Sequence, residues 1–220
     1  MIIHKKILPN LFMQTKINNF LKTNDLMQLA KYLLFETHIV VNNNSYRMLE
    51  IELYVCNEKH NDIFTHCHSE QKNMLTWYFH QMSEKENSYK GGTYKGMDIT
   101  CGIDDGYGGI LIRSIMNETD NTVIEGPCKV VNEILEKTGQ DCIKNLVVDK
   151  LNNDKSCLNN DLLKLEEKCY DNVDMFYAPR IGLSMKGSNI EEKKNWVNQN
   201  YRFIVFKDKI KKEKTKMIKM

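Results

Sequence analysis

The chain has 220 residues, of which 41% are hydrophobic and 27% charged, and a formal net charge of +2. That is enough for one large domain with a substantial core, and the balance is that of an ordered globular protein rather than a disordered one. No apolar run approaches the roughly 20 residues that a membrane helix needs, so no membrane partner is expected.

The opening Met-Ile-Ile-His-Lys-Lys lacks the apolar centre and cleavage site of a secretory signal. The seven cysteines are an odd set with no Cys-x-x-Cys pair, which fits an intracellular, reducing compartment. His66-Cys67-His68 invites a metal reading. Adjacent residues on an extended segment point opposite ways, however, and no second ligand cluster accompanies them, so no metal and no cofactor are expected.

Charge is unevenly spread. From Lys207 to Met220 seven lysines face only Asp208 and Glu213, a surplus of +5 that leaves −3 on residues 1–206. The expected organisation is one domain over 1–206, with 1–23 a weakly placed N-terminal segment, and a lysine-rich tail over 207–220, mobile or helical. Any affinity for nucleic acid must then come from local patches and the tail.

In chain order, Ile7–Leu21 reads as a short helix. Asn24 is a plausible N-cap for a second one over 25–35, in which Leu26, Leu29, Ala30, Leu33 and Leu34 recur at helical spacing. Thr37–Val41 is a strand by composition, Asn42–Asn44 a turn, and Tyr46–Tyr54 the returning strand.

This second strand is an unusual one. Met48, Leu49, Ile51 and Leu53 ask for burial, yet Glu50 and Glu52 sit among them, and strict alternation puts both on one face with Tyr46, Met48 and Tyr54. Two carboxylates and two phenols on a strand face suit the floor of a pocket. An edge strand with a solvated acidic face would give the same pattern.

Residues 57–73 read as a polar loop and Leu75–His80 as a strand. The stretch Ser88–Asp98 interleaves Gly91, Gly92 and Gly96 with Tyr89, Tyr94, Lys90 and Lys95. Glycine lets a backbone approach a ligand, lysine meets phosphate and tyrosine stacks on a base; a plain hairpin with glycine at its turn fits as well. Met97–Cys101 and Gly109–Ile115 are further strands, and Arg113 within the second needs an anionic partner, for which Glu50 and Glu52 are the candidates. Gly126-Pro127 opens a helix to about Lys137. Ile143–Leu151 and Leu158–Lys168 read as helical pieces, Pro179–Ser184 as a strand, 185–199 as a polar loop and Tyr201–Phe206 as a closing strand. The expected class is α+β, a single domain with a mixed, mostly antiparallel sheet of five to seven strands and flanking helices.

Taken together, these pieces resemble the alkyladenine (3-methyladenine) DNA glycosylase family from about Asp25 to Val205. The resemblance rests on Leu33-Leu34, the Glu50-x-Glu52-x-Tyr54 strand, Thr65-His66, Tyr94-Lys95-Gly96-Met97, Ile112-Arg113, Gly126-Pro127-Cys128-Lys129, Arg180-Ile181-Gly182 and Tyr201-Arg202-Phe203. It implies that fold, in a divergent branch, and a monomeric enzyme that flips a damaged purine from DNA and hydrolyses its N-glycosidic bond. Glu52 would activate water, Arg113 would hold the water and the carboxylate, and Tyr54 and His66 would line the base pocket beside Glu50. The second stacking aromatic falls to Tyr89 or Tyr94, and the wedge that fills the gap in the duplex to Lys95 or Tyr94. Asp98, an acid beyond the family pattern, is a further pocket candidate and would contact a ribose hydroxyl if the substrate is a free nucleotide. A free nucleoside or nucleotide as substrate, and a binding module without catalysis, are the alternatives.

Overall fold

The computed structural model describes residues 3–212 and 217–220. Helix α1 spans Ile3–Lys22, longer at both ends than its sequence suggests, and helix α2 spans Leu26–Glu36. The cap of α2 is Asp25, not Asn24: its carboxylate accepts the Gln28 N–H at 3.0 Å. Asn24 instead takes a left-handed φ of 55° and closes α1. Strand β1 (Thr37–Val41) follows directly. Asn42 and Asn43, at φ 44° and 65°, form the two-residue turn of a hairpin into β2 (Asn44–Asn57).

The other strands are β3 (His60–Asn61), β4 (Met74–Phe79), β5 (Met97–Cys101), β6 (Tyr107–Asn117), β7 (Val123–Glu125), β8 (Leu163–Glu167), β9 (Met175–Ala178), β10 (Arg202–Val205) and β11 (Ile218–Lys219). All eleven join one sheet of order β11-β9-β10-β2-β6-β5-β4, with β1 on β2, β8 on β1, β3 on β2 and β7 on β6. Every pairing among the described residues is antiparallel, so the molecule is an α+β domain built on an antiparallel sheet.

One face of the sheet is apolar. Ile51 and Leu53 of β2, Ile110 and Ile112 of β6, Ile99 of β5 and Trp77 and Phe79 of β4 form a continuous core with Leu29 and Leu33 of α2 and Ile17 of α1. Helix α3 (Pro127–Thr138) adds Val130, Val131, Ile134 and Leu135 to it. Its start needs glycine, since Gly126 has φ 113°, and Gly139 ends it in the left-handed region. With the helices on this side, the opposite face of the central strands is left for polar residues and loops. No helix among the described residues is long and apolar enough to cross a membrane.

Several segments depart from their sequence pattern. Leu158, Leu162 and Leu165 imitate a helical stripe, but Leu163–Glu167 is strand β8, its buried Leu163 and Leu165 alternating with Lys164 and Glu166 against β1. Pro179–Ser184 is not a strand: Arg180 turns inward to Asp62 and to the Leu53 carbonyl, and Gly182 bends the chain at φ 81°. Within the polar 185–199 stretch, Ile190–Val197 is a helix, α4, whose Trp196 packs edge-on to His60 at 4.9 Å. The lysine-rich tail is in part a strand, because Ile218–Lys219 pairs with β9. Residues 213–216 of that tail, and residues 1–2, lie outside the described residues.

Candidate active site

Strand β2 reaches its polar face through a pair of irregularities. Met48 pairs with Ile115 and Ile51 with Ile112, but between them Glu50 pairs with Ser114. Leu49 is therefore an extra residue on β2 and Arg113 an extra residue on β6, two offsetting bulges. The bulge at Leu49 breaks the expected alternation. Tyr46 and Met48 belong to the apolar core, where the Tyr46 hydroxyl donates to Glu133 of α3, and only Tyr54 remains with Glu50 and Glu52.

A line of facing residues crosses the polar side: Arg202 on β10, Glu52 on β2, Leu111 on β6, Asp98 on β5 and Tyr78 on β4. Facing residues in antiparallel strands project to the same side. Over this line lies a cavity of about 240 Å³, walled by Tyr54, Phe64, His66, Gln71, His80, Asp98 and Leu111 and closed by Ile181–Ser184. Pockets for drug-sized ligands run to roughly 300–1,000 Å³, so this one suits a single ring system with a small substituent.

Four buried charges sit behind the cavity and cancel: Glu50 and Glu52 against Arg113 and Arg202. Arg113 lies between the acids as its isolation in an apolar run demanded, with Nε 3.3 Å from Glu50 Oε1 and Nη1 3.3 Å from Glu52 Oε1. Glu50 is further held by Arg202 Nε at 3.0 Å and by the Ser114 hydroxyl at 2.6 Å. Its carboxylate is thus engaged on both oxygens, and Glu50 does not line the cavity.

Glu52 has no exposed surface. Tyr54 donates its hydroxyl to Oε2 at 2.8 Å, and the Ile181 N–H donates to Oε1 at 2.7 Å. Burial raises its pKa above the usual carboxylate range against the pull of Arg113 and these two donors. It lies directly behind Tyr54, Leu111 and Ile181, which wall the cavity. Tyr54 is itself clamped, with the Arg180 guanidinium 4.4 Å from its ring centroid and Arg180 paired to Asp62. Burial, then the charge of Glu52, pushes the Tyr54 hydroxyl well above its ordinary pKa, so it remains a hydrogen-bond donor.

The far wall is made by a pair of which the sequence singled out only Asp98. His80 follows Tyr78 by two positions and so shares its side, and its Nε2 is 2.7 Å from Asp98 Oδ1. The Gln71 amide donates to the other oxygen of Asp98 at 3.2 Å. Two glycines make room: a Cβ on Gly109 would lie 2.5 Å from Asp98 Oδ2, and one on Gly96 would lie 2.5 Å from His80 Nδ1. His66 stands edge-on to His80 with ring centroids 4.5 Å apart. Burial, then the neighbouring His80, lowers the His66 pKa to about 4. The alternation Tyr78-x-His80 is the signal the sequence offers, but the composition of Leu75–His80 marks only a strand and not which of its faces meets the cavity.

Much of the glycine-rich stretch does not reach the cavity. Tyr89 bridges to Gln81 and packs its ring against Phe79. Lys90 donates its backbone N–H to the His80 carbonyl at 2.8 Å. Gly91, Gly92, Tyr94 and Lys95 belong to a short turn over the start of α3, where the Cys128 thiol donates to the Gly92 carbonyl at 3.1 Å. Tyr94 is 78% exposed there. Of the predicted pocket residues, Tyr54, His66 and Asp98 line the cavity; Tyr89 and Tyr94 do not.

The fold and site define a single α+β domain with one antiparallel sheet, helices α1, α2 and α3 on its apolar face and a small polar cavity on the other. No family model matches the chain. The uncharacterized protein L759 of Acanthamoeba polyphaga mimivirus is 37% identical over 204 residues, an alignment covering 85% of this chain and 88% of that protein. The chain belongs to the family of that viral protein.

Proposed function

We propose that the protein is an N-glycosidic bond hydrolase resembling the alkyladenine DNA glycosylases, acting as a monomer, with a damaged purine in DNA as its substrate. The observation that carries this reading is Glu52, a carboxylate with raised pKa held by Arg113, Tyr54 and the Ile181 N–H immediately behind a ring-sized cavity with aromatic walls. A base seated against Tyr54, Phe64 and His66 would bring its glycosidic carbon towards Glu52. Rotation of the Tyr54 hydroxyl away from Oε2 admits a water molecule, which gives its proton to Glu52 as its oxygen bonds to the sugar. The same carboxylate stabilises the positive charge that grows on the sugar.

Mass spectrometry of bases released from alkylated duplex DNA, run beside a panel of free nucleosides and nucleotides, tests this. Glu52→Gln keeps the size of the side chain and should cut release at least about 100-fold, the usual worth of a general base, while ligand affinity persists. Full activity in Glu52→Gln would remove Glu52 from the chemistry, and ligand binding with no release by the natural chain would leave a binding module.

A free nucleoside or nucleotide is the second reading, favoured by the −3 charge of residues 1–206, which suits duplex DNA poorly. The exposed Tyr94 separates the two. It sits two residues before Gly96, against which the cavity residue His80 lies. Tyr94→Ala should lower release from duplex by about tenfold or more and leave turnover of a free nucleoside intact if the ring supports flipped DNA; equal effects on both would favour the small substrate.

A further inference from the structure

Glu52 supplies only half of what an N-glycosidic hydrolysis needs. When the bond to a neutral base breaks, the electron pair stays on the base, which leaves as an anion unless a proton arrives with it. From the wall of the cavity opposite Glu52, we infer that His80, oriented by Asp98, is the general acid that protonates the departing base. The assignment rests on the glycosidase reading above and extends it to the leaving group.

The geometry is that of an oriented imidazole. Asp98 is 2% exposed, and both its oxygens are committed, one to His80 Nε2 and one to the Gln71 amide. Both bonds hold the carboxylate in the plane that aims the His80 ring. With Nε2 tied to Asp98, Nδ1 is the nitrogen left to donate; it has no partner among the described residues and lies over Gly96, where only a glycine leaves it space. His66 is the other imidazole in the wall, but burial and the neighbouring His80 lower its pKa to about 4, which makes it the poorer holder of a proton. The groups around His80 are Asp98 on β5, Tyr78 on its own strand, His66 from the preceding loop and, through that ring, His68 and Lys90.

In the step, the Nδ1–H bond of the His80 imidazolium breaks as an N–H bond forms on a ring nitrogen of the base. The pair of the C1′–N bond goes to the base, the water oxygen bonds to C1′, and the water proton goes to Glu52. Glu52 then returns a proton to solvent and His80 regains one. Asp98 and Gln71 touch no reacting atom; they are positioning residues.

The test compares two duplexes, one with a neutral base (deoxyinosine) and one with a base already cationic (7-methyldeoxyguanosine), and the corresponding nucleosides inosine and 7-methylguanosine. A cationic base leaves without help from an acid. His80→Gln should lower the neutral-to-cationic ratio of release rates by about 100-fold. Asp98→Asn should lower it in the same direction while leaving release of the cationic base nearly unchanged, which a merely structural residue would not do. If His80→Gln does not fold, Asp98→Asn decides. A ratio unchanged overturns the assignment. Release of no base by the natural chain from any of the four substrates overturns the glycosidase reading and this assignment with it.

Discussion

Arg113 is held by two acids at once, and that makes it the residue on which the charge balance of the site depends. Removing one member of a buried ionic group leaves an uncompensated charge, at a cost of about 3–5 kcal/mol. Arg113→Gln should therefore lower the urea midpoint sharply, whereas removing Glu50 and Arg113 together, as Glu50→Gln with Arg113→Gln, should cost less than the sum of the single changes. Additive effects in that cycle would mean that the pair is not coupled. The acid Glu52 and the imidazole His66 pull stability in opposite directions with pH. The raised Glu52 pKa gives a contribution present at low pH and lost as pH rises from the ordinary carboxylate range through the raised value. For His66, lowered to about 4, the unfolded chain binds the extra proton between pH 4 and its ordinary value of about 6.5, so stability falls as pH drops through that window. An NMR titration should find the His66 ring neutral at pH 6; a midpoint near the ordinary value would show it fully hydrated. The acids of β2, the buried arginine and the Tyr54 beside them were legible because each breaks an apolar strand pattern. Gln71 and Gly109 were not, nor was the space that Gly96 leaves for His80, since their role is to orient or to leave space, and an absent side chain has no pattern of its own.

At the scale of elements, what could be read from sequence was whatever obeys a local period. The leucine stripe of α2, the asparagine turn, the Gly-Pro start of α3 and the strands of the 97–115 region all follow from short-range rules. Bulges defeat such rules. One extra residue at Leu49 moves Tyr46 and Met48 to the core and leaves the glutamates on the other side, and nothing within β2 announces it; the offset is fixed by pairing with β6, more than 50 residues later. Strand β8 was hidden for the same reason, its leucines satisfying a helical period until β1 selects the strand. The N-cap offers a local check. Asp25→Ala removes the acceptor for the Gln28 N–H and should cost about 1 kcal/mol in thermal or denaturant unfolding, while Asn24→Ala, outside the cap position, should act through its left-handed turn and not through the cap.

For the whole molecule the open matter is how a body of charge −3 would meet a polyanion, and the tail is where the answer has to be sought. Deleting 207–220 is a poor experiment, because Ile218–Lys219 pairs with β9 and the Lys211 and Lys212 N–H groups donate to Glu125. Replacing lysines 209, 211, 212, 214 and 216 by glutamine keeps the backbone and takes the formal net charge from +2 to −3. Each lost phosphate contact should flatten the slope of log affinity against log salt by about 0.9 on duplex DNA. If the tail supplies the general affinity, undamaged duplex should bind much more weakly at low salt and with little salt dependence. Hydrolysis of a free nucleoside should hardly change, because every cavity residue precedes position 207. A binding constant and slope that survive the five replacements would show that these lysines are not the cationic surface and turn the search to the body, where Lys95 closes the exposed Tyr94 turn.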